Sequence, residues 1–131
     1  MEKTFIMVKP DGIKRKLLGE IISRIEKKGF NILQAKLFSP DRDLVEEHYQ
    51  EHAGEVFFHE LRDYILSGPV MAMEVEGESA VEIMRKIIGD KDPILAEPGT
   101  IRGDFANTMN TNVIHASDSV ESAQRELELW F

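Results

Sequence analysis

The chain has 131 residues, enough for one domain (residues 1–131), and 42% of them are hydrophobic, which excludes a disordered chain. It has no cysteine, so disulfides, thiolate metal sites and thiol nucleophiles are excluded, and a reducing, cytoplasmic location is the expectation. A formal net charge of −8 argues against nucleic acid or an anionic membrane as partner, so any phosphate ligand must be held by a local basic cluster.

The apolar part of MEKTFIMVKPDG is too short for a signal peptide or a membrane span. Residues 3–9, KTFIMVK, predict a buried strand, ended by a turn at Pro10-Asp11-Gly12. Leu18, Ile21, Ile22 and Ile25 follow helical spacing, and Gly29 stops that helix. Residues 30–38 predict a second strand. Ser39 and Pro40 predict the cap and first position of the next helix, with Leu44, Val45, His48, Tyr49 and His52 on one face. A further helix covers roughly 55–66, with Phe57, Leu61, Tyr64 and Ile65 in phase, and Gly68-Pro69 ends it. Residues 70–77 predict a third strand. Ser79 and Glu82 then form a capping box opening a helix that runs to Gly89.

Residues 89–112 show neither period, and a loop of that length in a compact domain points to function. It has few apolar residues, so support from a neighbouring subunit is the expectation. A fourth strand follows at about 111–115. Asp118 and Glu121 then resemble another capping signal, before a helix carrying Val120, Ala123, Leu127 and Trp130. The order β-α-β-α-α-β-α-loop-β-α predicts an α+β fold: a four-stranded antiparallel sheet of split βαβ type, with helices on one face.

There is no GxGxxG and no GxxxxGK, so phosphate would be held by side chains rather than by a glycine cradle. His48 and His52 read as half-buried packing residues. Residues 48–52 are HYQEH, with Glu51 one place too late for a zinc HEXXH helix and no third ligand in view, so no protein-held metal is expected. His59 reads as a surface or interface residue. His115 ends the fourth strand just before a helix N-terminus, a place that favours anions. Glu126, in the helix that follows, could hold one imidazole nitrogen and leave the other as a nucleophile. On local features alone, a satisfied core histidine carries equal weight. Lys9, Arg85 and Arg102 come from three segments that border the loop or a strand end, and guanidinium groups suit bidentate phosphate recognition.

Several stretches together carry a family resemblance: TFIMVKPDG at 4–12, GEII at 19–22, KKGF at 27–30, EHY at 47–49, FF at 57–58, SGPV at 67–70, PGTIRGDF at 98–105, and NVIHASDS with ESA over 112–123. Over essentially its whole length the chain resembles nucleoside diphosphate kinases, and HASDS, with Ala116, looks like archaeal members. The resemblance implies a ferredoxin-like sandwich and a ping-pong transfer of the γ-phosphoryl group from a nucleoside triphosphate to a nucleoside diphosphate. His115 matches the phosphorylated residue, Glu126 the carboxylate that orients it, Ser117 the serine beside it and Tyr49 the nearby tyrosine. Lys9 and Asn112 match contacts to sugar hydroxyls and phosphates, and Arg85 and Arg102 match the phosphate arginines. Phe57 matches the base-stacking aromatic and Met109 the apolar residue opposite. Stacking is blind to base identity, so ATP, ADP, GDP and other nucleotides are the implied partners. Mg2+ is the implied cofactor, held by phosphates and water. A homo-oligomer is implied, a dimer-based hexamer with a tetramer as runner-up.

Three departures stand out. Lys91 replaces a phosphate-contacting threonine and is kept as a nucleotide-binding candidate. Asn110-Thr111 replaces Gly-Arg, which implies altered loop stability. The sequence stops at Trp130-Phe131 without a C-terminal extension that often joins subunits. Two other readings are a weakened relative kept as a scaffold and a ferredoxin-like regulatory domain. The second of these leaves PGTIRGDF and NVIHASDS unexplained.

Overall fold

The computed structural model describes residues 1–131. Four strands, β1 (Glu2–Val8), β2 (Asn31–Phe38), β3 (Val70–Gly77) and β4 (Ile114–Ala116), form one antiparallel sheet in the order β2-β3-β1-β4. Seven α-helices surround it: α1 (Pro10–Lys14), α2 (Leu18–Lys27), α3 (Arg42–His48), α4 (Phe58–Ile65), α5 (Ala80–Ile88), α6 (Ile101–Phe105) and α7 (Val120–Trp130).

The helices cover both faces of the sheet, not the one face expected. Ile6 and Val8 of β1 pack with Ile21 and Ile25 of α2, Met84 and Ile88 of α5, and Ile101 of α6. Phe5 and Met7 point the other way, into Val45 of α3, Ile65 of α4 and Trp130 of α7. The unbroken FIMV run is the cause. A strand with water on one face alternates polar and apolar residues, whereas this one is apolar on both. The edge strand β2 is the opposite case, with Leu33 and Leu37 exposed.

Several element ends differ from the expectation. Pro10-Asp11-Gly12 starts the short helix α1, with proline in its first turn, rather than forming a simple turn. Ser39-Pro40 lies outside α3; Asp41 caps it by accepting the Leu44 N–H at 2.9 Å. Tyr49 is the C-cap of α3, and His52 lies in a 3-10 turn over Gln50–His52, so the five-residue face breaks after His48. The fourth helix begins at Phe58, with Phe57 as its N-cap. Ser79 adopts a left-handed backbone (φ 50°) and its hydroxyl caps nothing; the Glu2 carboxylate accepts the Val81 N–H at 2.9 Å instead. Ser119, not Asp118, caps α7 through the Ser122 N–H at 3.0 Å.

The segment 89–112 contains a helix, α6, whose five residues are too few to show a period. Thr100 caps it by accepting the Gly103 N–H at 2.9 Å. Within the chain, its support comes from the α1–α2 region. Arg24 donates to Asp104 at 2.9 Å and to the Gly99 carbonyl at 3.3 Å, and its guanidinium lies 5.1 Å from the Phe105 ring centroid. Arg15 donates to the Phe105 carbonyl at 2.7 Å.

Candidate active site

The site is built where the end of β1 meets β4. Met7 pairs with His115 and Val8 with Ile114, so the residue after β1, Lys9, arrives beside the segment before β4. The Lys9 N–H donates to the Val113 carbonyl at 2.8 Å. Val113 has φ 74°, and the Ile114 N–H donates to the Asn112 carbonyl at 2.8 Å, which makes a γ-turn centred on Val113. Positive φ at a β-branched residue is strained by on the order of 1–3 kcal/mol. The surroundings hold it: the Val113 N–H donates to the Asp11 carboxylate at 3.1 Å, and the side chain is fully buried. This turn aims Asn112, whose Oδ1 accepts from Lys9 Nζ at 2.8 Å and whose Nδ2 donates to the Lys91 carbonyl at 3.4 Å.

His115 faces α7. Its Nε2 lies 2.9 Å from Glu126 Oε1, and the same oxygen accepts the Ser117 hydroxyl at 2.7 Å. Burial pushes Glu126 up, but the hydrogen bond from His115 and the charges nearby outweigh it and hold the carboxyl below its usual range. An ionised carboxylate only accepts, so His115 carries its proton on Nε2 and leaves a lone pair on Nδ1. Nδ1 makes no hydrogen bond to the protein and is not sealed from solvent. That arrangement suits an oriented nucleophile, with one nitrogen held by Glu126 and the other without a protein partner.

The basic groups gather around this ring. Lys9 is 7% exposed. Burial, then the Arg102 charge, lowers its pKa to about 7, with Asp11 opposing. Arg102, also buried, donates to the carbonyls of Ile114 (2.6 Å), Gly89 (3.1 Å) and Asn112 (3.4 Å), tying α6 to the γ-turn. Burial and then Arg85 lower its pKa to about 10, so it stays charged at neutral pH. Arg85 is exposed on α5 and donates to the Ala116 carbonyl at 3.2 Å. A local basic cluster thus stands beside the β1–β4 junction of an acidic chain, as a phosphate ligand would need. Lys91 is exposed, its side chain pairs with no carboxylate, and it joins the site through its carbonyl. Tyr49 is buried; burial and then Glu126 push its phenol up, so it stays a neutral donor.

Phe57 is half-exposed and connects inward through rings, 5.5 Å to His52, which lies 6.4 Å from Tyr49. Met109 is half-exposed, and no hydrogen bond or ring contact ties it to the others. Three participants were not singled out for the site in the sequence. Asp11 holds the γ-turn. His48, read as packing, lies 4.8 Å ring to ring from His115 and accepts from Trp130 Nε1 at 3.0 Å. Trp130 is the third; its partner lies 82 residues away, beyond any local pattern. His59 is exposed.

Ligand atoms of His48, His115 and Glu126 lie within 4.8 Å of one another, a candidate metal cluster by distance. The indole N–H occupies Nδ1 of His48, and Glu126 is engaged by both His115 and Ser117. Two of the three groups are thus already engaged by protein donors, which leaves no ready-made cage.

The family model described as nucleoside diphosphate kinase matches residues 2–131. A relative in Exiguobacterium sibiricum, named nucleoside diphosphate kinase, is 60% identical over 131 residues, covering all of this chain and 95% of that protein. One in the archaeon Sulfolobus acidocaldarius, of the same name, is 56% identical over 131 residues, covering all of this chain and 90% of the other. Among solved structures, the nucleoside diphosphate kinase of Encephalitozoon cuniculi superposes with a TM-score of 0.98 at 46% identity, over 100% of this chain and 89% of that one. A family protein from Babesia bovis gives 0.97 at 49% identity, over 100% and 88%. With a full-length family match, more than half of its residues shared with such relatives and the sandwich fold in common, the chain belongs to the nucleoside diphosphate kinase family.

Proposed function

We propose that this member of the family transfers a γ-phosphoryl group by a ping-pong route through His115. The Nδ1 lone pair attacks the γ-phosphorus of a nucleoside triphosphate. The Nδ1–P bond forms, the bond from phosphorus to the β,γ-bridging oxygen breaks, and the nucleoside diphosphate leaves with that electron pair. A second nucleoside diphosphate then takes the group by the reverse step. Nε2 keeps its proton throughout, and Glu126 offsets the positive charge that builds on the phosphorylated ring. Lys9, Arg85 and Arg102 meet the phosphate charge, with Lys91 at the rim and Tyr49 as a neutral donor. Asn112 and Lys9 reach the sugar hydroxyls. Phe57 stacks on the base with Met109 opposite, which gives broad base tolerance.

Mg2+ fits this site as part of the nucleotide. The carboxylate at the centre, Glu126, has both partners already, and Asp11 accepts the Val113 N–H, so the protein offers no oxygen cage. When bound, the ion neutralises phosphate charge. Self-assembly into a dimer-based hexamer, or else a tetramer, is supported by the exposed Leu33 and Leu37 on the edge strand and by Ile94 and Leu95 on the loop. Work in the cytoplasm goes with nucleotide substrates.

The observation that carries this reading is the 2.9 Å bond from Nε2 of His115 to Glu126 with Nδ1 left free. The same bonding gives no support to a binding-only scaffold. Incubation with γ-labelled ATP tests the reading: an acid-labile label on the protein, passed to GDP and lost in His115→Ala, is expected. A wild-type level of acid-labile label on His115→Ala would overturn it.

A further inference from the structure

The chain's single tryptophan, Trp130, closes α7 and is buried against Phe5 and His48. Its Nε1–H donates to Nδ1 of His48 at 3.0 Å, a bond buried at both ends. An indole N–H only donates, so Nδ1 must present its lone pair, and the neutral His48 ring must carry its proton on Nε2. That ring stands 4.8 Å from the His115 ring at an interplanar angle of 80°. We propose that Trp130 is a positioning residue, which through this hydrogen bond locks His48 in the Nε2–H tautomer beside the nucleophile and reinforces the neutral ring that burial already favours.

The chemistry follows from the groups that face His48. They are His115 from β4, Glu126 and Arg125 from α7, Lys9 from the end of β1, and Tyr49 in the next position. Of the charges acting on it, only Glu126 favours a protonated His48; burial first, then His115, hold its pKa down to about 3. A protonated ring would turn an N–H toward the indole N–H, placing two donors on one line. A cation there would also compete with His115 for Glu126, the carboxylate that fixes the nucleophile. The lock therefore protects the His115–Glu126 bond from acid. The consequence for catalysis rests on His115 being the phosphorylated residue.

The test uses the full-length protein labelled with 15N at histidine; four histidines keep the spectra simple. Ring nitrogen shifts report tautomer and charge directly. Wild-type His48 is expected to show Nε2–H without protonation from about pH 8.5 down to about pH 5.5. Trp130→Phe keeps an aromatic ring, loses the donor and leaves room for water at Nδ1, which relieves part of the burial; there His48 is expected to mix tautomers and to begin to titrate at the acid end of that range. Phosphoenzyme formation from ATP is followed in a single turnover over the same range. The ratio of wild-type to Trp130→Phe rate is expected to rise roughly fivefold or more as pH falls, because the competing cation appears only in the variant. A residue that merely packs would give a ratio independent of pH. Adding His48→Gln to Trp130→Phe removes the titrating group and should flatten the ratio.

A wild-type His48 bearing its proton on Nδ1, or a flat ratio for the single variant, overturns the proposal. The wild-type spectrum needs no variant, so a Trp130→Phe protein that failed to fold would leave that test standing. Failure of the His115 reading looks different: wild-type His115 would carry no label at any pH, whatever the tautomer of His48.

Discussion

Lys9 donates to Oδ1 of Asn112 at 2.8 Å, closing a contact between residues 103 apart in sequence. The two are brought together by the β1–β4 pairing and the strained turn at Val113. Lys9 is buried with one neutral acceptor and a like charge, Arg102, nearby, and its pKa falls to about 7.

The sign of the consequence is fixed. Between pH of about 7 and the ordinary value of 10.5, the unfolded chain binds a proton that the folded chain does not. Stability due to this group therefore rises with pH across that window, and below it the full cost of burying the charge is present. A bound triphosphate reverses the balance by placing anionic oxygens at Nζ. ADP or ATP binding somewhat above neutral pH should then take up a proton at Lys9. Calorimetry in buffers of differing ionisation enthalpy reads that uptake. It should approach one proton more in the wild type than in Lys9→Gln; equal uptake in both would show that Lys9 is charged before the nucleotide arrives.

Phe57 offers a half-exposed ring and no hydrogen-bonding group. Base stacking on an aromatic side chain contributes about 1–3 kcal/mol, so Phe57→Ala should weaken ADP and GDP about tenfold or more, and by similar factors. Equilibrium titration of both nucleotides checks this. A loss confined to one base would mean that edge recognition, not stacking, holds it.

How far the sequence disclosed this molecule depended on the range of each interaction. The strands β1, β2 and β3 and the helices α2, α5 and α7 were legible because their apolar stretches are long enough to see, whereas β4, expected at about 111–115, spans only Ile114–Ala116 after the turn at Val113. The helices α1 and α6 were not, at five residues each. The cap on α5 was misread because its acceptor, Glu2, lies 79 residues from Val81. The both-sided sheet was written in FIMV, yet element order suggested one face. In the site, His115 and Glu126 were legible as a strand and the helix after it, only 11 residues apart. Tyr49, Phe57, Met109, Ser117 and Asn112 came only through family resemblance. Asp11 and the Trp130–His48 pair depend on tertiary contacts across most of the chain.

Arg24 illustrates a long-range support that activity should reveal. It joins α2 to Asp104 and Gly99, on the helix and turn that carry Arg102. Both members of the pair reach solvent, and exposed pairs contribute little to global stability. Arg24→Ala should therefore barely move the melting temperature, yet lower kcat/KM severalfold by loosening Arg102. Asp104→Ala should do the same, and the double variant should be no worse than either single one if they act as a unit. Additive losses in kcat/KM would show that each residue acts by a separate route.

Gly103 sets the tightest packing in this loop. A Cβ built there would lie 1.9 Å from the Glu97 carbonyl oxygen and 2.7 Å from Thr100 Oγ1, the atom that caps α6. The clash with Glu97 is with backbone, so no side-chain rotation relieves it. Gly103→Ala must move either α6 or the turn before it, and overpacking of this kind costs about 1–3 kcal/mol. The displacement falls on the residue next to Arg102, whose guanidinium holds the carbonyls of Gly89, Asn112 and Ile114 together. The expected outcome is a lower denaturation midpoint and a larger fall in phosphoenzyme formation than in Arg24→Ala, since the γ-turn that aims Asn112 loses its brace. Chemical denaturation alongside single-turnover labelling measures both. A Gly103→Ala protein with wild-type stability and wild-type labelling would mean that α6 can shift without disturbing the nucleophile, and that Arg102 does not brace the turn.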